Sequence, residues 1–190
     1  MLWKLTAVVA LSLAWLAAPV ARAEGEAECC DYNGFFAGVG GGYSFESFNG
    51  GNAGNSGLVN LRAGYRFLDF VALEGLAEYM PYFDGHSGKY NGAHTALWTT
   101  SLNAKLYPAA RWTGFMQPYL LAGVGWMWER TNGGGADTSD NGFLARYGGG
   151  IDWFLTEHLY LTTDAAYLQP NGRVTRFDQV VVGGALNYRF

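Results

Sequence analysis

The chain has 190 residues, with 28 Gly, 7 Trp, 12 Tyr and 12 Phe, and only 15% of it is charged. That length suits one domain. So many rings carry more apolar surface than a disordered chain does, and glycine without a three-residue period excludes collagen. A net charge of −4 leaves no basic face for phosphates, so no nucleic-acid partner is expected.

Lys4 opens a short basic start, and Leu5 to Ala18 is an apolar run broken by Pro19. Ala21-Arg22-Ala23 then has the small-x-small form of a cleavage site, so residues 1–23 read as a secretory signal peptide. The run is too short for a membrane helix, which needs about 20 residues; an uncleaved N-terminal anchor is the competing reading. Residues 24–33 follow as an acidic periplasmic tail. It holds the two cysteines, Cys29 and Cys30, which would meet an oxidising compartment. They are adjacent and offer no CxxC spacing. With three scattered histidines they form no ligand set, and no metal or cofactor is expected.

From residue 34 the pattern has period two. In 35–46, Phe35, Ala37, Val39, Gly41, Tyr43 and Phe45 oppose Phe36, Gly38, Gly40, Gly42, Ser44 and Glu46. In 58–67, Val59, Leu61, Ala63, Tyr65 and Phe67 oppose Asn60, Arg62, Gly64 and Arg66. In 70–80, Val71, Leu73, Gly75, Ala77 and Tyr79 oppose Glu74 and Glu78; in 95–107, Ala96, Trp98, Leu102 and Leu106 oppose Thr99, Ser101, Asn103, Lys105 and Tyr107. In 118–129, Leu120, Val124, Trp126 and Trp128 oppose Gly123, Gly125 and Glu129; in 143–154, Ala145, Tyr147, Ile151 and Trp153 oppose Arg146, Gly148, Gly150 and Asp152. In 159–168, Leu159, Leu161 and Tyr167 oppose Thr162, Asp164 and Ala166; in 178–190, Val180, Val182, Leu186, Tyr188 and Phe190 oppose Gln179, Val181, Gly183, Ala185, Asn187 and Arg189. Strand side chains alternate between faces, so these are eight strands, each with one apolar, ring-bearing face and one face of glycine and charge.

Every charge falls on the second face. A soluble sandwich or barrel hides its apolar face inside; here the aromatics crowd the strand ends of a bulky uncharged face. The pattern therefore predicts an all-β, eight-stranded, up-and-down antiparallel transmembrane barrel with lipid outside and a polar interior. A soluble lipocalin-type barrel is the alternative. The connections 47–57, 81–94 and 130–142 are long and rich in Asn, Gly, Asp and Ser, as turns with positive φ require. Those at 68–69 and 155–158 are short, which places both chain ends on the periplasmic side. The connection 108–117, with Pro108 and Trp112, is long for a periplasmic turn.

Eight strands leave an interior just wide enough for side chains to fill. The lumen charges Arg62, Arg66, Glu74, Glu78, Lys105, Glu129, Arg146, Asp152, Asp164 and Arg189 are expected to neutralise one another there as a plug, with Arg62 about opposite Glu74. The lumen glycines make room for the arginines. No G-x-G-x-x-G phosphate loop is present, since position 43 is Tyr and position 128 is Trp. Catalysis would need a base held within about 3 Å of a nucleophile. Asp84, His86, Ser87 and His94 share one glycine-rich connection and His158 lies at the other end, so they read as solvated loop residues. Arg173 and Arg176 are the main basic feature of the loops, suited to lipopolysaccharide phosphates.

The stretches Gly34-Phe35-Phe36-Ala37-Gly38-Val39-Gly40-Gly41-Gly42-Tyr43, Ala63-Gly64-Tyr65-Arg66-Phe67, Gln117-Pro118-Tyr119-Leu120-Leu121-Ala122-Gly123-Val124-Gly125 and the terminal Asn187-Tyr188-Arg189-Phe190 make 34–190 resemble the OmpA-like and OmpX-like family of small outer-membrane barrels. The resemblance implies residence in the outer membrane of a Gram-negative cell among its lipids and lipopolysaccharide. It also implies that Tyr188 and Phe190 form a signal for the barrel-assembly machinery. A mainly structural role in envelope integrity follows, with loop-mediated adhesion or host binding second and lipid A modification third. No peptidoglycan-binding domain follows the eighth strand, so the full-length OmpA plan is not implied.

Overall fold

A computed structural model of the chain describes residues 32–46, 55–84, 94–109, 115–132 and 138–190. The expected signal peptide, Cys29, Cys30, His86, Ser87, Trp112 and most of the 24–33 tail lie outside them. Eight strands run in chain order: β1 (Gly34–Glu46), β2 (Ser56–Leu68), β3 (Val71–Asp84), β4 (His94–Leu106), β5 (Met116–Asn132), β6 (Thr138–Phe154), β7 (Leu159–Pro170) and β8 (Gln179–Arg189). Each pairs antiparallel with its neighbours in sequence, and β1 pairs with β8 to close an up-and-down barrel. At 11–17 residues every strand reaches the ~9–11 residues a tilted membrane strand needs.

The faces follow the alternation. Val39, Leu61, Leu102, Leu120, Val124 and Leu186 point away from the barrel axis and are exposed. They form a band bounded by two rings of aromatics. Phe35, Phe67, Phe70, Phe115, Tyr188 and Phe190 lie at the short-turn end, and Tyr43, Trp98, Trp126, Trp128 and Phe143 at the long-connection end. Aromatic girdles around an apolar band are what a bilayer demands of a spanning wall.

Three boundaries differ from expectation. The 130–142 segment is mostly strand, since β5 continues to Asn132 and β6 starts at Thr138, in register from Thr131↔Thr138. β3 likewise continues to Asp84 and β4 starts at His94. Beyond the membrane the outward face meets water and no longer needs apolar residues, so the apolar–polar alternation fades, while the ladder goes on and Phe83, Thr95 and Thr131 stay buried on the inner face. The 169–177 connection contains a 3-10 helix, Gly172–Phe177, which buries Val174 completely. It packs beside β6, where a Cβ at Gly142 would overlap the Asn171 carbonyl oxygen and lie 2.6 Å from Val174 Cγ2.

Candidate functional site

The chemistry of this barrel is concentrated in its interior, which is built in three layers. The middle layer is ionic. Lys105 Nζ lies 2.6 Å from Glu74 Oε2, and Arg62 Nη1 lies 3.8 Å from the same oxygen and 3.1 Å from Asp164 Oδ2. Arg146 Nη1 meets Glu78 Oε2 at 2.6 Å, and Thr99 Oγ1 donates to that oxygen at 3.0 Å. Three cations thus face three carboxylates, each side chain at most 4% exposed. Charges this far from water persist only when paired and hydrogen-bonded.

The register shows how the strands deliver them. Arg62 faces Leu76, and Glu74 faces Gly64; the expected direct opposition of Arg62 and Glu74 is therefore a diagonal, and the shorter contact of Arg62 reaches across the lumen to β7. A pairing inferred from one hairpin misses this because barrel closure brings β7 to within a side chain's length of β2.

The layer at the short-turn end is aromatic and polar. Tyr107 Oη donates to Asp152 Oδ2 at 2.8 Å, and Thr162 Oγ1 to Asp152 Oδ1 at 2.6 Å. Arg66 Nη1 donates to Gln117 Oε1 at 2.6 Å. Its guanidinium sits 3.9 Å from the Tyr107 ring centre and 5.1 Å from that of Tyr32, where cation–π attraction adds to the hydrogen bond. Tyr32 rests on Phe154 at 4.8 Å, and Phe154 stacks on Tyr160 at 5.0 Å, so the residues just before β1 close this mouth. A small, partly open space of about 10 Å³ remains beside Arg66 and Asp152, about the room one water needs. Arg189, expected in the lumen, lies at the rim: it is half-buried, donates to the Glu157 carbonyl and stands 5.8 Å from the Tyr32 ring centre. The end of the last strand leaves it outside the packed interior.

The layer at the long-connection end corrects the expectation of a wholly polar interior. Met80, Leu97, Met127, Leu144, Leu168 and Val174 are fully buried there. Glu129 lies among them, accepting from Thr131 Oγ1 at 2.6 Å, and Thr131 lies 2.8 Å from Thr95 Oγ1. All but Val174 occupy lumen-facing positions at this end of β3–β7, where glycine and charge are the rule lower down. The 3-10 helix covers the cluster with Val174. In the neighbouring connection to β8, partial burial raises the Asp178 carboxyl above its ordinary pKa, against the lowering effect of the Tyr167 hydrogen bond.

The lumen glycines have a tighter role than making room for arginines. A Cβ at Gly40 would overlap the Gly184 carbonyl oxygen, at Gly125 that of Thr100, and at Gly148 that of Ala165. The inner face of neighbouring backbones is too close for any side chain there. The two described histidines lie apart: His94 is exposed at one end of the barrel and His158, with Nδ1 3.0 Å from the Arg189 carbonyl, at the other. Among the described residues no group of three or more His, Cys, Asp or Glu is placed to hold a metal.

Comparison with known proteins agrees with this architecture. Neisserial surface protein A (NspA) superposes with a TM-score of 0.64 at 17% identity, covering 82% of this chain and 97% of that one. The N-terminal β-barrel domain of Pseudomonas aeruginosa OprF gives 0.59 at 17% identity, over 83% and 97%. Ail, the attachment invasion locus protein of Yersinia pestis, gives 0.56 at 16% identity, over 83% and 97%. At such identities the likeness is one of fold. No curated protein matches the chain in sequence. The outer membrane protein beta-barrel domain matches residues 8–190, and with the closed barrel, its two aromatic girdles and its charged interior, the chain belongs to that family of outer-membrane proteins.

Proposed function

We propose that the protein is a non-conducting structural barrel serving envelope integrity, with its interior a permanent plug. The observation that carries this reading is the stacking of three different closures along one lumen: aromatic–guanidinium, ionic and apolar. A permeant ion would have to displace all three. Purified protein in planar bilayers is expected to give no steady conductance; a stable channel on the nanosiemens scale would refute the plug.

The same reading places the short-turn end in the periplasm, residues 1–23 as a cleaved signal peptide and 24–33 as a periplasmic tail ending at the Tyr32 stopper. Tyr188 and Phe190, whose rings meet edge-on at 5.1 Å on the lipid face, would be read by the barrel-assembly machinery. Lipopolysaccharide is the natural neighbour at the other end.

A second reading, adhesion or host binding, is favoured by the sheet that β3–β6 continue above the girdle. β3 from Met80 to Asp84 is paired with β4 but not with β2, whose last partner is Val59↔Tyr79. β6 from Thr138 to Asn141 is paired with β5 and lies beyond both its last β7 partner, Leu144↔Pro170, and the Asn171 N–H that donates to the Phe143 carbonyl. Such edges accept an added strand. Ser139→Pro removes one edge donor; if whole cells bind matrix or serum proteins through this edge, the variant is expected to lose that binding, and unchanged binding would remove the edge from consideration.

A further inference from the structure

Just above the long-connection girdle lies a cation with no partner among the described residues. Arg130 lies on the outward face of β5, exposed, flanked in register by Ala96 on β4 and Ser139 on β6. Among the described residues no hydrogen bond or ion pair engages its guanidinium, and the acids Glu129 and Asp140, paired with each other in register, are on the inner face of the sheet. One outward row below it runs an aromatic shelf: Tyr79 stacks on Trp98 at 4.2 Å, and Trp98 faces Trp128 in register. A girdle marks the edge of the hydrocarbon. Two residues further along a strand is about 7 Å, or roughly 5 Å in height at the usual tilt, which sets Arg130 at the depth of lipid headgroups.

Beneath the shelf, on the same side of the barrel, the wall is dented. Ala37, Ala63, Gly75, Ala77 and Thr100 line a shallow groove of about 460 Å³ within the apolar band. Its upper end, at Thr100, lies two residues below Trp98 and about 13 Å along β4 from Ala96, the neighbour of Arg130. A single lipid can span that distance.

We propose that this face holds one phosphorylated glycolipid of the outer leaflet, its headgroup phosphate on Arg130, its sugar against the Trp98–Trp128 shelf and an acyl chain in the groove. Charge complementarity chooses the occupant: an unpaired guanidinium at headgroup depth gains most from a phosphate, which it meets bidentately. Zwitterionic lipid carries its own countercharge. The inference rests on the orientation proposed above, with the long connections outward; protease cleavage within 133–137 on intact cells reports that orientation independently.

The test refolds the whole chain into phosphatidylcholine vesicles doped with bis-phosphorylated lipid A, extracts it, and counts retained lipid by native mass spectrometry. Wild type is expected to retain lipid A but not its dephosphorylated form. Arg130→Gln is expected to retain about tenfold less, one charge-assisted bond's worth, and Arg130→Lys to keep most of it. Both variants alter an exposed side chain, and the shift in gel migration on boiling reports that they fold. Equal retention by Arg130→Gln and wild type would overturn the assignment, as would displacement of the lipid by millimolar inorganic phosphate, which would mark a generic anion site. Lipid retained by a barrel that conducts would defeat the plug and leave this site standing.

Discussion

Glu74→Gln is expected to destabilise the barrel by about 3–5 kcal/mol, the cost of breaking a buried ion pair from one side. Glu74 is the shared anion of the middle layer, 2.6 Å from Lys105 and 3.8 Å from Arg62. An amide keeps the shape and removes the charge. Arg62 still has Asp164 at 3.1 Å, but Lys105 is left with ring faces, Tyr119 at 4.5 Å and Phe36 at 5.8 Å. The penalty is therefore mainly that of an uncompensated ammonium. Urea unfolding of the vesicle-embedded protein, followed by tryptophan fluorescence, measures it. Adding Lys105→Met to Glu74→Gln is expected to recover much of the loss, since removing both charges leaves nothing unpaired. A single-variant loss below about 1 kcal/mol, the value of an exposed pair, would mean that the ionic layer is wet and screened, and the plug with it.

A larger effect is expected at the seam. Gly40→Val should abolish the folded barrel. A Cβ at Gly40 would overlap the Gly184 carbonyl oxygen and sit 2.6 Å from Ala185 Cβ, and these belong to β8, the strand that closes the sheet on β1. The obstacle is backbone, which cannot rotate aside as a side chain can. The control is Gly75→Ala on the outward face, where an added Cβ meets only the Ala63 carbonyl oxygen at 3.6 Å. That substitution is expected to be neutral or stabilising by about 0.5–1 kcal/mol, because glycine loses the most freedom on folding. The readout is the compact band of unheated protein on a gel, absent for Gly40→Val and present for Gly75→Ala. A folded Gly40→Val barrel would show that the seam can open to accept side chains.

The interior and exterior faces were readable residue by residue in the chain, because a strand in a one-layer wall has only two environments. Arg62, Glu74, Lys105 and Arg146 could be placed inward from parity alone. Arg189 shares that parity and still falls at the rim, since alternation says which face a residue takes and nothing about how deep it lies. The apolar upper layer escaped for a related reason: Leu97 and Met127 stand where polar parity was expected, and among the described residues it is the 3-10 helix, through Val174, that covers that end.

Period-two alternation with charge confined to one face was enough to establish an inside-out barrel of eight strands, because lipid tolerates no unpaired backbone and no bare charge. Which carboxylate meets which cation is another matter. The Arg62–Asp164 contact joins β2 to β7, and the clash awaiting any side chain at Gly40 comes from β8. Both depend on closure and register, which bring together residues more than a hundred positions apart and which no local pattern encodes.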